Sequence, residues 1–275
     1  MPTLWKKAVL SALFAVFAAG ACAAAEPDAD KGPSNLLTAA VAWKQTAAEY
    51  RALYYQGFNI ARLHVDRAIR CSTGGKPLAV VTDVDDTILA TTNYWGHLIA
   101  NDKEFFEDPI WDEWVADNKF TVMPGALEFL NYCKANNVEV FYVTNRDQGD
   151  PTYELATMNL KSAGFPFIDE KHLIVQRDTS NKETPQKKIM EDYDVVVMLG
   201  DNLNDFQRKY YTKDVDERLK LMEEDKALYG TKFIVFPNPT DGHWMRAIFG
   251  DSEPPASKEN REIFQKAATR SAWKQ

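Results

Sequence analysis

Three carboxylates close an apolar run in Leu78-Ala79-Val80-Val81-Thr82-Asp83-Val84-Asp85-Asp86-Thr87, and two more follow Val195-Val196-Val197-Met198-Leu199-Gly200 as Asp201 and Asp205. Carboxylates can serve as nucleophile, as general acid and base, or as hard oxygen ligands to a divalent cation. Gathered in one place they repel each other unless a cation sits among them. A third apolar run, Val138 to Val143, ends in Thr144-Asn145-Arg146, whose hydroxyl, amide and guanidinium groups are donors suited to phosphate oxygens. Lys182 stands near the start of a helical stretch, where the helix dipole disfavours a cation unless an anion lies close by. Each feature has a plainer counterpart, since strands end in Asp-rich turns and surface lysines are solvated. An EF-hand loop does not fit: Ile88 stands where that loop needs Gly and Tyr94 where it needs Glu.

The elements that must position these residues read as α/β. A short apolar run bounded by a polar turn is the pattern of a strand buried on both faces of a parallel sheet, and such sheets hold ligands beyond the carboxyl ends of their strands. Leu173 to Val175 and Phe233 to Phe236 add strands, and helices are expected over Ala126 to Asn136, Pro151 to Ala163, Thr184 to Glu191 and Val215 to Tyr229. Gly164 closes the second of these as a C-cap. From Val41 to Ile69, Trp43, Tyr50, Leu53, Tyr54, Phe58, Ile60 and Leu63 recur mostly at three- and four-residue steps, which predicts a packed helix or helix pair with this stripe in the core. Residues 91–120 postpone the return to the sheet and carry Tyr94, Trp95, Phe105, Phe106, Trp111 and Trp114, the composition of an inserted cap. Its aromatics either form a small core of their own or touch substrate. Two prolines between Ser252 and Ala256 set a polar C-terminal helix apart from the core.

A net charge of −8 excludes wholesale electrostatic binding of a nucleic acid polymer, leaving room for a local basic pocket that takes a small anion. The N-terminus has Lys6, Lys7, an apolar stretch from Ala8 to Ala19 and small residues through Ala25, the pattern of an export signal. Two processing readings stay open: cleavage before Glu26, giving a soluble periplasmic or secreted protein, or lipidation of Cys22, giving an outer-membrane lipoprotein that meets the membrane only through that anchor. The organisation expected is therefore a signal peptide over 1–25, a helical extension over 26–70, a core over 71–250 with a cap near 91–124, and a helical tail over 251–275. Cys71 and Cys133 lack CxxC or metal-site spacing and read as structural, paired or free.

The ordered set Asp83-Val84-Asp85-Asp86-Thr87, Thr144-Asn145-Arg146, Lys182 and Gly200-Asp201-Asn202-Leu203-Asn204-Asp205 resembles the haloacid dehalogenase superfamily. More narrowly, with Trp43 to Tyr50 and Phe141 to Arg146, it is similar to the class C acid phosphatases, the secreted 5'-nucleotidase family of lipoprotein e. The resemblance implies a Rossmann-like parallel sheet between helices with a small helical cap, and magnesium-dependent hydrolysis of small phosphomonoesters, nucleoside 5'-monophosphates among them. It implies Asp83 as nucleophile, forming an aspartyl-phosphate, and Asp85 as general acid and base. Mg2+ would be held by Asp83, Asp201 and the backbone carbonyl of Asp85, with Asp205 behind them. Thr144, Asn145 and Lys182 would hold the phosphoryl group, Lys187 and Lys188 being the competing lysines. Trp111 would form one wall for the leaving group; where relatives resembling lipoprotein e carry a second aromatic, Tyr, this chain has Asp241, leaving Trp244 or Tyr94 as substitutes. A phosphotransferase using the same intermediate, and a non-catalytic exported surface or storage protein, are the alternative functions. Both monomer and homodimer are compatible with the sequence.

Overall fold

In a computed structural model of the chain, residues 35–273 are described; the expected signal peptide and Cys22 lie outside them. The N-terminal stretch is a helix pair, α1 (Thr38–Thr46) and α2 (Ala48–Cys71), separated by Ala47 in an extended conformation. Strand β1 (Leu78–Thr82) follows, then β2 (Leu89–Ala90), α3 (Thr92–Ala100), α4 (Asp108–Ala116) and β3 (Thr121–Val122). The chain continues through α5 (Ala126–Ala135), β4 (Glu139–Asn145), α6 (Thr152–Ser162), β5 (Leu173–Gln176), α7 (Glu183–Asp192) and β6 (Asp194–Gly200). It ends with α8 (Val215–Glu224), β7 (Phe233–Val235), α9 (His243–Phe249) and α10 (Lys258–Ala268).

Five strands form a parallel sheet in the order β5-β4-β1-β6-β7, so the acidic strand β1 lies at its centre. Successive side chains of a strand face opposite ways. Val80, Val140, Tyr142, Val197 and Leu199 therefore join one buried cluster with α2 and α5, and Ala79, Val81, Phe141, Val143 and Met198 join a second beneath α7. Covering both faces is what makes these strands continuous apolar runs rather than alternating ones. β2 and β3 pair antiparallel and form the stem from which α3 and α4 project.

Helix α2 buries Tyr50, Tyr54, Gly57, Phe58, Ala61 and Val65. At Gly57 a Cβ would stand 2.4 Å from the ring of Phe236, so the absence of a side chain lets the helix lie directly on the residue that follows β7. Phe236 stacks on Tyr54 with ring centroids 4.8 Å apart and packs on Phe58 at 4.6 Å. Burying each such ring contributes about 1.5–3 kcal/mol. Leu53 and Leu63, expected on this stripe, point outward and are 40% and 66% exposed. The three- and four-residue steps allow more than one stripe, and the sheet selects the one through Tyr50, Tyr54 and Phe58.

Two further expectations are corrected. The helix from Val215 ends at Glu224 rather than Tyr229, because the side chain of Asp225 is held by Tyr210 and Lys209 and the chain turns there into a short 3-10 segment. Helix α9, only seven residues long, lies in a stretch for which no element was expected. The C-terminal helix is not apart from the rest, since Phe264 packs against Phe105, Trp244 and Phe249. Cys71 is exposed, Cys133 buried, and both are free thiols. Among the described residues no helix is long and apolar enough to cross a membrane.

Candidate active site

The carboxyl ends of β1, β4 and β6 meet over one cavity of about 470 Å3. β1 delivers Asp83, whose backbone N–H donates to Leu199 O at 2.9 Å and so extends the ladder with β6 one residue past the strand. The next residues turn tightly: Ile88 and Leu89 donate to Val84 O at 2.9 and 3.0 Å, and Asp86 adopts a positive φ of 52°. A non-glycine residue held there needs support from its surroundings. Asp86 has it, for its carboxylate accepts from Lys44 Nζ at 2.8 Å, Thr91 Oγ1 at 2.6 Å and Thr91 N at 3.1 Å.

β6 delivers Asp201, and the capped turn after it returns Asp205. A Cβ on Gly200 would lie 2.5 Å from the Cβ of Asp205, so glycine is what lets Asp205 fold back to the strand end. Carboxylate oxygens of Asp83, Asp201 and Asp205 all lie within 4.8 Å of one another. Lys182 Nζ donates to Asp83 and, at 2.8 Å, to Asp205. Asp205 also accepts from Asn202 N at 2.8 Å. Asp201 accepts from Asn238 Nδ2 at 2.8 Å and from Thr87 Oγ1 at 3.3 Å, and has no cation partner among the described residues. Burial, together with the charges of Asp205, Asp83 and Asp86, raises the Asp201 pKa well above the carboxylate range. Burial also raises that of Asp83, against the pull of Lys182. Burial works against the Lys182 ammonium, yet Asp205 and Asp83 outweigh it and push its pKa above the usual lysine value. Two buried carboxylates and a half-buried third, facing one lysine, could hold a hard divalent ion, which would offset the repulsion among them. Asp205, expected behind Asp83 and Asp201, brings a carboxylate oxygen within the same 4.8 Å of theirs.

Asp85 points elsewhere. Arg146, just past the end of β4, grips it with Nε to Oδ2 at 2.8 Å and Nη2 to Oδ1 at 2.6 Å, while Nη1 is anchored on Asn159 Oδ1 at 2.8 Å. Burial raises the Asp85 pKa and Arg146 opposes the rise. Thr144, Asn145 and Lys182 line the same cavity as Asp83. The amide of Asn145 donates to Thr179 O, tying the end of β4 to the loop that carries Lys182. Lys187 is exposed and paired with Glu183, and Lys188 is exposed, so only Lys182 of the three lysines reaches the carboxylates. The sequence reading left Arg146 without a definite role and missed Lys44, Thr87 and Asn238. Arg146 had a signal in the Thr-Asn-Arg run and Thr87 closes the acidic run itself, whereas Lys44 and Asn238 reach the site only from distant segments.

The outer wall comes from α3, α4 and the loop after β7. Trp111, 9% exposed, lines the cavity with Trp95, Phe106 and Asp108, and Asp241 and Glu253 also face it. Trp111 packs edge-on against Tyr94 at 5.2 Å and lies near Trp114 at 5.4 Å, so it belongs to a small aromatic core as well as to the wall. Neither Trp244 nor Tyr94 lines the cavity: Trp244 turns its Nε1 to Asp241 O at 2.8 Å, and Tyr94 is fully buried. Burial pushes the Asp241 carboxyl up to about 6.

Comparison with known proteins agrees with this geometry. A class C acid phosphatase from Bacillus anthracis, solved with tungstate bound, superposes with a TM-score of 0.77 at 30% sequence identity, covering 83% of this chain and 94% of that one. A second structure of the class C acid phosphatase from Bacillus anthracis gives the same values. Residues 15–244 match the HAD superfamily, subfamily IIIB (acid phosphatase). The fold, the convergent strand-end carboxylates and these likenesses place the chain in that family of phosphomonoesterases.

Proposed function

We propose that this acid phosphatase is exported and magnesium-dependent, and that it hydrolyses small phosphomonoesters, nucleoside 5'-monophosphates among them, through a phosphoryl group carried on Asp83. The observation that carries this reading is the convergence of Asp83, Asp201 and Asp205 on one point with Lys182 beside them.

One oxygen of Asp83 attacks phosphorus as the P–O bond to the alcohol breaks, and Asp85 gives its proton to the departing oxygen. Water then attacks the aspartyl-phosphate, Asp85 takes the water's proton, and phosphate leaves with Asp83 restored. Thr144, Asn145 and Lys182 supply donors to the phosphoryl oxygens, Lys182 sharing a charge that Asp83 and Asp205 hold in the free protein. Thr87, 3.0 Å from Asp83 Oδ2, fixes the orientation of the nucleophile. A divalent ion bound by the acidic cluster would offset the combined charge of substrate and nucleophile; the absence of sulfur and imidazole from the donor set favours Mg2+.

Trp111, Trp95 and Phe106 line the cavity together with Asp241, which stands where the resemblance to lipoprotein e implies a second aromatic, so a nucleobase finds one stacking surface fewer than that resemblance implies. Nucleotides are then substrates without being strongly preferred over other phosphomonoesters. The test is phosphate release from a panel of phosphomonoesters with and without Mg2+, including an added alcohol to detect transfer. Phosphate release abolished by chelation and restored by Mg2+ is expected; activity indifferent to exhaustive chelation would sink the metal assignment.

A further inference from the structure

Lys44 lies in α1, outside the sheet that carries the acidic residues, yet its ammonium is wholly buried at their edge. Such a charge persists only when paired and hydrogen-bonded. Lys44 Nζ donates to Asp86 Oδ2 at 2.8 Å and to Thr240 Oγ1 at 2.9 Å. The second bond forces the Thr240 hydroxyl proton away from Lys44, and it goes to Asn238 Oδ1 at 2.8 Å. That oxygen also accepts from Thr240 N at 3.1 Å and Asp241 N at 3.3 Å, which fixes the amide with its NH2 towards Asp201 Oδ2, 2.8 Å away. Lys44 is thus the common origin of two connections. One supports Asp86, the positive-φ residue in the turn that presents Asp83; the other runs through Thr240 and Asn238 to Asp201.

We infer that Lys44 is a positioning residue for the metal-facing carboxylates, acting through Thr240 and Asn238 on Asp201 and through Asp86 on the Asp83 turn. The inference rests on the metal-dependent reading above. Partners behind metal ligands hold those ligands in the orientation that binding needs, and their loss typically lowers metal affinity about 10- to 100-fold. A lysine serving only to fasten α1 to the core would alter melting and leave metal affinity unchanged.

The test uses Mn2+ as a spectroscopic substitute for Mg2+, with the bound ion counted by electron paramagnetic resonance in the full-length protein, alongside kcat and KM at saturating Mg2+. Lys44→Met keeps most of the side-chain length and removes its charge; Thr240→Val leaves the Lys44–Asp86 pair in place and removes the hydroxyl that joins Lys44 to Asn238, whose Oδ1 keeps its two backbone donors. Both variants are expected to bind Mn2+ about 10-fold or more weakly than the wild type, with much of the lost activity recovered at high Mg2+ and KM for substrate little changed. Tight wild-type binding with unchanged affinity in Thr240→Val would overturn the path to Asp201. Unchanged affinity in Lys44→Met, with a lowered melting temperature alone, would overturn the role of Lys44. Should Lys44→Met fail to fold, Thr240→Val decides the matter. A wild-type protein that binds no Mn2+ would bring down the metal reading itself, an outcome distinct from the other two.

Discussion

Arg146 holds Asp85 in a two-pronged grip and is itself anchored by Asn159, so the orientation of the Asp85 carboxyl is set by a guanidinium whose own position is fixed. Lysine cannot reproduce the planar fork. Arg146→Lys is therefore expected to lower kcat about 10-fold or more for alkyl phosphates, whose leaving group needs a proton, and less for p-nitrophenyl phosphate. Asp85→Asn should follow the same pattern more severely, since positioned proton transfer contributes roughly 10²- to 10⁴-fold. Equal losses on both substrates would assign the pair to something other than proton transfer.

Asp83→Asn keeps the size of the side chain and removes its nucleophilic oxygen. Turnover should vanish, and the protein should remain folded because Lys182 keeps Asp205 as a partner. Circular dichroism and the pre-steady-state burst of released alcohol, measured on protein free of wild type, check this; an alcohol burst in the variant would rule out attack by Asp83.

Asp205 stands with Asp83 and Asp201 rather than behind them. Asp205→Asn and Asp201→Asn should accordingly raise the Mg2+ concentration for half-maximal activity to a similar extent, on the order of 10- to 100-fold. A Mg2+ titration in which Asp205→Asn matches the wild type would return that residue to a supporting role.

Asp241 faces the cavity with its carboxyl raised to about 6, chiefly by burial. Below that pH it is protonated and neutral; above it, a negative charge faces an anionic substrate. KM should therefore rise as pH passes from about 5 to 8, beyond the change due to ionisation of the substrate. Asp241→Asn should flatten the rise while leaving KM at acid pH near the wild-type value. Parallel profiles for the two proteins would remove Asp241 from substrate recognition.

Trp111→Ala should raise KM for nucleoside monophosphates more than for a small phosphate ester, by about 10-fold if one stacking contact is lost. Because the same ring packs on Tyr94 and Trp114, the melting temperature should also fall. A fall in melting temperature with equal KM effects would leave Trp111 as packing alone. Asp241→Tyr restores a second aromatic surface and should improve nucleotide selectivity.

The sheet was legible because its strands are buried on both faces, and because β1 and β6 run into carboxylates and β4 into Thr144-Asn145-Arg146, these three announced both the fold and the centre of the site. What was not legible depends on which distant pieces meet. Lys182 could be ranked above Lys187 and Lys188 only by a family likeness, whereas in the folded chain it alone reaches Asp83. Lys44 looked like one polar residue on a helix, and its burial follows from Asp86 and Thr240, 42 and 196 residues away. Asn238 sat in a proline-flanked turn whose purpose shows only when Asp201 is beside it. Helix α9 is too short to display a period.

Helix α10 sets Phe264 among Phe105, Trp244 and Phe249, while Arg261 pairs with Glu104 next to Phe105. This helix therefore covers aromatic surface from α9 and from the segment between α3 and α4. A shortened C-terminus would leave those rings wet and prone to self-association, so yield and solubility, ahead of catalysis, should register the loss. In preparing the enzyme, a purification handle belongs beyond Gln275 on a flexible spacer, and trimming the tail to aid crystal growth would be counterproductive.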